Sequence, residues 1–287
     1  MNIKTSFSHK NPEPENSVLY IVGTPIGNLN DLSFRAINIL KKVSLIACED
    51  TRQTRKIMQR FEFTNNLISF NKINSKNKIP KIIEDLTSGK SIALVSDAGM
   101  PSICDPGEDL VKYAKSNEIN IICIPGPCAA ITALVSSGMP SSSFIFEGFL
   151  PKKKVDRERI LSEININEKT TILFESPHRL KKLLKELKET CGGEREIQVF
   201  RELTKKFEEH IGSNIDMVIE FFKKKEVIGE ITLVIKGISK RKNSIINKSA
   251  LKKELHELVN AGLTLSAASK YLAKKKDLTK SLIYNLY

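Results

Sequence analysis

The chain has 287 residues, 40% of them hydrophobic, and a formal net charge of +13 from 46 Lys and Arg against 33 Asp and Glu. This length fits two modest domains with an appendage, and the apolar fraction excludes wholesale disorder. A basic excess favours a polyanionic partner, because Lys and Arg release condensed counterions on meeting phosphates, although a lysine-rich proteome produces the same number. No run approaches the roughly 20 apolar residues of a membrane span. Residues 1–17 are polar and lack an apolar stretch, so they read as a disordered segment and not as a signal peptide; a cytoplasmic location without membrane contact is expected. Five cysteines without a CxxC pair read as reduced thiols, and no metal site is expected.

In chain order, Val18–Val22 reads as a buried strand broken by Gly23-Thr-Pro-Ile-Gly-Asn28. Asn30 or Asp31 is placed to cap a helix with Phe34, Ile37 and Leu40 at helical spacing. Val43–Ala47 is a second strand ending at Cys48-Glu-Asp-Thr-Arg52, followed by a basic helix over 52–60 and a short strand over 67–70. A helix over 78–87 stops at Gly89, and strand 91–95 enters Ser96-Asp-Ala-Gly-Met-Pro101. Asp105-Pro-Gly107 opens a helix with Leu110, Val111 and Ala114 on one face. Strand 119–124 runs into Pro125-Gly-Pro127 and a small-residue helix over 128–137. Strands alternating with helices imply a largely parallel α/β sheet, in which ligands gather at the carboxyl ends of the strands. The Gly- and Pro-bearing turns all lie at those ends.

An N-terminal α/β domain is thus expected over 18–137 and a second over 138–238. In the second, Lys152–Lys154 with a charged helix reads as a linker, and 170–174 as a strand. Ser176 is placed as helix cap with Pro177 first in the helix, which ends at Cys191-Gly-Gly193. Strand 197–201, helix 215–224 and strand 229–235 complete it. Residues 239–287 form a basic tail; from 240 onward it holds 11 Lys and Arg against 3 Asp and Glu. Three short helices over 249–261, 266–275 and 279–286 read either as a helix-turn-helix-like module or as a capping bundle.

No turn matches GxGxxG, a Walker loop, GxSxG or HExxH, so dinucleotide, P-loop, serine-hydrolase and zinc-protease readings lack support. Taken singly, the turns are weak signals. Together, Val22-Gly-Thr-Pro-Ile-Gly-Asn-Leu29, Ala47-Cys-Glu-Asp-Thr-Arg52, Ser96-Asp-Ala-Gly-Met-Pro101, Asp105-Pro-Gly107, Pro125-Gly-Pro-Cys-Ala-Ala-Ile-Thr-Ala-Leu134, Phe146-Glu-Gly-Phe-Leu-Pro151, Glu175-Ser-Pro-His-Arg179 and Arg201-Glu-Leu-Thr-Lys205 occur in order. In that order they resemble the ribosomal RNA small-subunit methyltransferase I branch of the tetrapyrrole methylase superfamily, over about Leu19 to Ile235.

The resemblance implies a two-domain tetrapyrrole-methylase-like α/β fold with S-adenosylmethionine in a cleft between the domains. It further implies a homodimer that 2′-O-methylates a cytidine in the decoding region of 16S rRNA on the small ribosomal subunit. Asp97, Ala98 and Gly99 would hold the methionine and ribose side, with Pro25 and Ile26 beside them. Pro125, Gly126, Pro127, Ala129, Ala130 and Thr132 would line the pocket. Phe174, Glu175, Glu230 and Thr232 would close over the adenosine. Substrate contacts fall on Asn28, Arg52, Arg55, Arg179 and Arg201. A ribose hydroxyl needs a base or a stabilising cation. The adjacent acidic pair Glu49 and Asp50 is the first candidate base, against an ion pair with Arg52 or Arg55 that only shapes the loop. His178 is a second candidate base, and Lys205 is the candidate cation beside the acceptor. A small-molecule tetrapyrrole methylase and a non-catalytic RNA-binding assembly protein remain as alternatives.

Overall fold

The computed structural model describes residues 12–238, 248–276 and 280–287; the expectation for residues 1–11 lies outside them. The remainder of the supposedly disordered start, 12–17, is tied down. The Arg35 guanidinium pairs with Glu13 (2.5 Å), and the Glu15 N–H donates to the Tyr20 hydroxyl (2.8 Å). Both contacts come from residues that follow the segment, Arg35 well beyond it, which its own composition does not reveal.

The first sheet is parallel throughout. Its strands are β1 (Val18–Val22), β2 (Leu45–Cys48), β3 (Leu67–Ser69), β4 (Ile92–Val95) and β5 (Asn120–Ile124), in the order β3-β2-β4-β1-β5. Helices α1 (Phe34–Lys42), α2 (Thr51–Arg60), α3 (Ser75–Thr87), α4 (Glu108–Ser116) and α5 (Ala129–Ser137) connect or follow them. Alternate residues of β1 serve opposite faces: Val18, Tyr20 and Val22 pack with Ala36, Ile39 and Leu40, while Leu19 and Ile21 pack with Ile82, Leu86 and Leu110. Cover on both faces explains why the strands read as unbroken apolar runs. The cap of α1 is Ser33, whose hydroxyl accepts from the Ala36 N–H (3.1 Å), not Asn30 or Asp31. Those two residues belong to a short 3-10 turn, Leu29–Asp31, capped by Asn28.

The second sheet is mixed. It contains β6 (Phe144–Phe149), β7 (Thr170–Glu175), β8 (Glu196–Arg201), β9 (Glu209–Asn214) and β10 (Ile231–Ile235), ordered β6-β7-β10-β8-β9, with only β6 and β7 parallel. One face is covered by α6 (Lys154–Ile166), α7 (Pro177–Cys191) and α8 (Ile215–Lys223). The charged helix expected as a linker is α6, and it buries Ile160, Leu161 and Ile164 in that core. The opposite face packs against α5: Ala130, Ala133 and Leu134 meet Ile172, Phe200 and Val234. A helix that follows the last strand of the first sheet thus shares the core of the second.

Ile238–Tyr287 forms a separate compact unit. Its helices α9 (Lys248–Asn260), α10 (Leu265–Lys276) and α11 (Lys280–Tyr284) bury Leu251, Leu255, Leu272 and Ile283 among themselves.

Candidate active site

Because β1 lies between β4 and β5, the turns after these three strands meet. The Thr24 N–H donates to the Gly99 carbonyl (2.9 Å), and the Gly99 N–H donates back to the Thr24 carbonyl (3.0 Å). The buried Thr24 hydroxyl donates to the Ser96 carbonyl (3.2 Å). Gly23 and Gly126 cross so closely that a Cβ on Gly126 would lie 2.7 Å from the Gly23 Cα. Two glycines are needed because each backbone occupies the space of the other's side chain.

The second sheet reaches these turns through the segment after β8. The Glu202 N–H donates to the Glu230 carbonyl (2.9 Å), and the Glu230 N–H donates to Glu202 Oε1 (2.8 Å). Lys205 Nζ bridges Glu202 (2.9 Å) and Glu230 (3.0 Å). The Asn28 N–H donates to the Thr204 hydroxyl (3.2 Å), and a Cβ on Gly27 would strike the Lys205 stem at 2.4 Å. Glu202 and Thr204 hold positive φ values of 54° and 67°, strain of a kind that concentrates at functional sites.

Between the two sheets lies a cavity of about 390 Å³. Ile26, Ala98, Gly99 and Ala129 line it from the first domain, and Phe174, Glu175, Glu230 and Thr232 from the second. Register assembles the second wall: Phe174 and Phe200 both pair with Thr232, so the three stand side by side on one face. Other expected residues support the cavity without lining it. Asp97 Oδ1 accepts from the Asp50 N–H (2.9 Å), and the Thr132 hydroxyl is spent on the Cys128 carbonyl (2.9 Å). Ala130 faces the shared core, Pro25 is buried in its turn, and Pro125, Gly126 and Pro127 shape the crossing at Gly23.

Several lining residues escaped the sequence reading. Met100, Ile103 and Asp105 continue the Ser96 turn, Phe149 ends β6, and Phe200 and Leu203 come from β8 and the strained segment after it. The first three are legible in principle as the continuation of a turn at a strand end. The others depend on sheet order.

The lining contains three carboxylates, Asp105, Glu175 and Glu230, and no Lys or Arg. Glu175 is 2% exposed; its Oε1 accepts from the Ser176 N–H (2.8 Å) and faces Arg179 Nε (3.2 Å). Its Oε2 lies 3.6 Å from the buried Arg157 guanidinium and has no hydrogen-bond donor. Burial pushes the carboxyls of Glu49, Asp97 and Asp105 above their ordinary pKa; repulsion adds to it, from Asp105 and Asp97 on Glu49, from Asp50 on Asp97 and from Asp97 on Asp105. For such a group the folded state holds the proton more tightly than the unfolded chain. Stability therefore falls as pH rises from the ordinary value, 3.8 for Asp, through the folded value. Asp105→Asn is accordingly expected to be more stable than the native chain at pH 7, with the gain shrinking as pH falls towards 3.8. Urea unfolding at several pH values measures this, and an unchanged difference between the two proteins would contradict it.

The expected catalytic and substrate residues divide sharply. Asp50 caps α2 through the Arg52 N–H (2.8 Å) and grips the Arg52 side chain (2.6 Å), which hold its carboxyl down to about 2. That is too acidic for a base at neutral pH, so the loop-shaping ion pair is what Asp50 makes. Arg201 is 7% exposed, paired with Glu209 across the β8–β9 register (2.6 Å), and does not offer itself to a phosphate. Arg179 is held between Glu175 and the Leu150 carbonyl (2.8 Å). His178 is exposed in the first turn of α7 and does not line the cavity. Arg55 is exposed on α2 together with Lys56 and Arg60, giving that helix a basic outer face. Among the described residues no His, Cys, Asp and Glu group could hold a metal ion, and no helix is long and apolar enough to cross a membrane.

The class follows from the two sheets and the cavity between them: the family model for Tetrapyrrole (Corrin/Porphyrin) Methylases matches residues 18–218. A uroporphyrin-III C-methyltransferase from Thermus thermophilus, solved in complex with S-adenosylhomocysteine, superimposes with a TM-score of 0.54 at 15% identity. That match covers 76% of this chain and 96% of the solved one. Within the class, the Ribosomal RNA small subunit methyltransferase I of Synechocystis sp. is 41% identical over 269 residues, 94% of this chain and 96% of the relative. The protein of the same name from Bacillus subtilis is 40% identical over 284 residues, 96% of each chain. The chain belongs to the ribosomal RNA small subunit methyltransferase I family of the tetrapyrrole methylases.

Proposed function

We propose that this chain transfers a methyl group from S-adenosylmethionine to the ribose 2′-hydroxyl of a cytidine in the decoding region of 16S rRNA. The observation that carries the reading is the cavity, whose lining holds Asp105, Glu175 and Glu230 and no Lys or Arg. Its volume of about 390 Å³ falls in the range of small-molecule sites. A lining of this charge suits a sulfonium and an ammonium group and disfavours a polyphosphate nucleotide. The unpartnered Glu175 Oε2 is a buried acceptor of the kind that a ligand amino or hydroxyl group satisfies. The S-adenosylhomocysteine in the Thermus enzyme, which is this cofactor without its methyl group, supports the same choice. The names of the relatives support ribosomal RNA as the acceptor.

When bound, S-adenosylmethionine supplies a methyl group activated for in-line displacement. The protein's part is alignment and exclusion of water. Ala98, Gly99 and Ala129 allow close approach on one side, and Phe174, Phe200 and Thr232 form the opposing wall. Burial works against the charge on Lys205, but the hydrogen bonds it donates to Glu202 and Glu230 outweigh it and hold its pKa above the ordinary value. Lys205 therefore stays a cation at neutral pH and serves the acceptor by stabilising negative charge as the hydroxyl loses its proton. Of the acidic pair, Glu49 is left as the base, its carboxyl raised by burial above its ordinary value. Arg52, Arg55, Lys56 and Arg60 on α2 hold RNA phosphates.

The test incubates the protein with labelled S-adenosylmethionine and small subunits lacking the modification, then maps the labelled nucleotide. Label on the 2′-oxygen of one decoding-region cytidine is expected. Label at another nucleotide or atom, or none on RNA, overturns the reading.

A further inference from the structure

The described residues of the C-terminal unit have a surface with a definite organisation of its own. Its helices spend their apolar sides on one another: Ala268, Leu272 and Ala273 of α10 pack with Leu251 and Leu255 of α9 and Ile283 of α11. Among the residues that α10 leaves exposed, Ala267, Lys270, Tyr271 and Lys274 are spaced at three and four residues and so aligned on one face. The four residues between α9 and α10 include Gly262 at φ +97°, and the Thr264 hydroxyl accepts from the Ala267 N–H (3.3 Å) at the start of α10. Two helices joined by a short glycine turn, with the second helix presenting its outer face, are the geometry of helix-turn-helix modules.

Charge on this unit is also partitioned. Its described residues include eight lysines and two glutamates. Glu254 holds Lys275 (2.6 Å) and Lys276 (3.1 Å). Among the described residues, Lys270 and Lys274 have no carboxylate partner, and between them Tyr271 is 53% exposed with Lys275 lying 5.9 Å over its ring. Lys270 and Lys274 stand about 6 Å apart along the helix, comparable with neighbouring phosphates on one strand. A membrane surface would require a broad outward apolar face, whereas Leu251, Leu255, Leu272 and Ile283 are buried in this unit's own core and three of the four exposed large apolar side chains among its described residues beyond Ile238 are tyrosines.

We infer that the C-terminal unit is an RNA-docking module that sets the outer face of α10 against the sugar-phosphate backbone, with Lys270 and Lys274 on phosphates and Tyr271 packed on sugar or base. This rests on the reading of the acceptor as ribosomal RNA. The module adds affinity for the substrate without supplying a group to the reaction.

The test uses the full chain with the substitutions Lys270→Gln and Lys274→Gln together, and a second variant with both lysines changed to Arg. Binding to small subunits lacking the modification is measured between 50 and 200 mM salt. Each lost phosphate contact lowers the slope of log affinity against log salt by about 1, so the Gln pair is expected to lower it by about 2. Affinity at low salt should drop by at least about tenfold, KM for subunits should rise, and kcat and S-adenosylmethionine affinity should stay unchanged. The Arg pair keeps the native slope. A folded Gln pair with native slope and affinity overturns the inference, as does lysine-dependent binding to anionic phospholipid vesicles in place of RNA. If the native chain methylates no RNA, the functional reading fails instead, and the two failures are told apart by the native protein alone.

Discussion

Glu175→Ala is expected to cost about 3 kcal/mol of folding stability and to remove detectable S-adenosylmethionine binding. The carboxylate is fully buried between two arginines, 3.2 Å from Arg179 and 3.6 Å from Arg157. Deleting one partner of a buried ion pair costs more than the pair is worth, because the remaining charge stays in a poor solvent. The loss falls at the low end of the usual range since both arginines keep a second anchor. Arg157 retains Glu186 (2.7 Å), and Arg179 retains the Leu150 carbonyl (2.8 Å). Glu175→Gln separates the two effects: it preserves shape and the acceptor for the Ser176 N–H while removing the charge. It should lose cofactor affinity with a smaller loss of stability. Guanidinium unfolding and titration calorimetry measure the pair; a Gln variant with native affinity would remove Glu175 from the cofactor site.

The second large effect is expected at Gly126. A Cβ there would lie 2.7 Å from the Gly23 Cα and 2.9 Å from both its carbonyl carbon and oxygen. These are backbone atoms, which cannot rotate away as a side-chain tip can. Gly126→Ala should therefore cost about 3 kcal/mol, at the upper end of ordinary overpacking. Forcing the β1 and β5 turns apart also pulls Thr24 from Gly99, so cofactor affinity should fall at least about tenfold. Gly138→Ala is the matched control: it has open space around it but sits at φ +66°, so it shows only the cost of backbone strain, about 1 kcal/mol. Equal losses at the two positions would show that the crossing at Gly23 is not tight.

Much of this architecture is written in the order of residues. Apolar runs locate all five strands of the first sheet, and the three that run into glycine- or proline-bearing turns, β1, β4 and β5, are where the cavity's first wall stands. What stayed hidden has identifiable causes. The segment of β9, Glu-His-Ile-Gly-Ser-Asn, is a polar edge strand without a buried face to give it a period. Helix α6 looks like a linker because exposed Lys153, Lys154 and Arg159 flank the few residues it buries. Arg201 at a strand end looks like a phosphate ligand, yet sheet register places Glu209 opposite it. The second wall required knowing that β10 lies between β7 and β8, which no local pattern encodes.

The position of α5 has a consequence for how the body of the protein comes apart. Its buried side is core for the second sheet, while its first turn follows the Gly126 crossing that the first sheet depends on. Neither sheet can lose its structure and leave the other with an intact interior. Residues 12–238 should therefore melt in one cooperative transition despite containing two sheets. A ligand in the cavity touches both walls, so mass action would raise the melting temperature of the whole body as a unit.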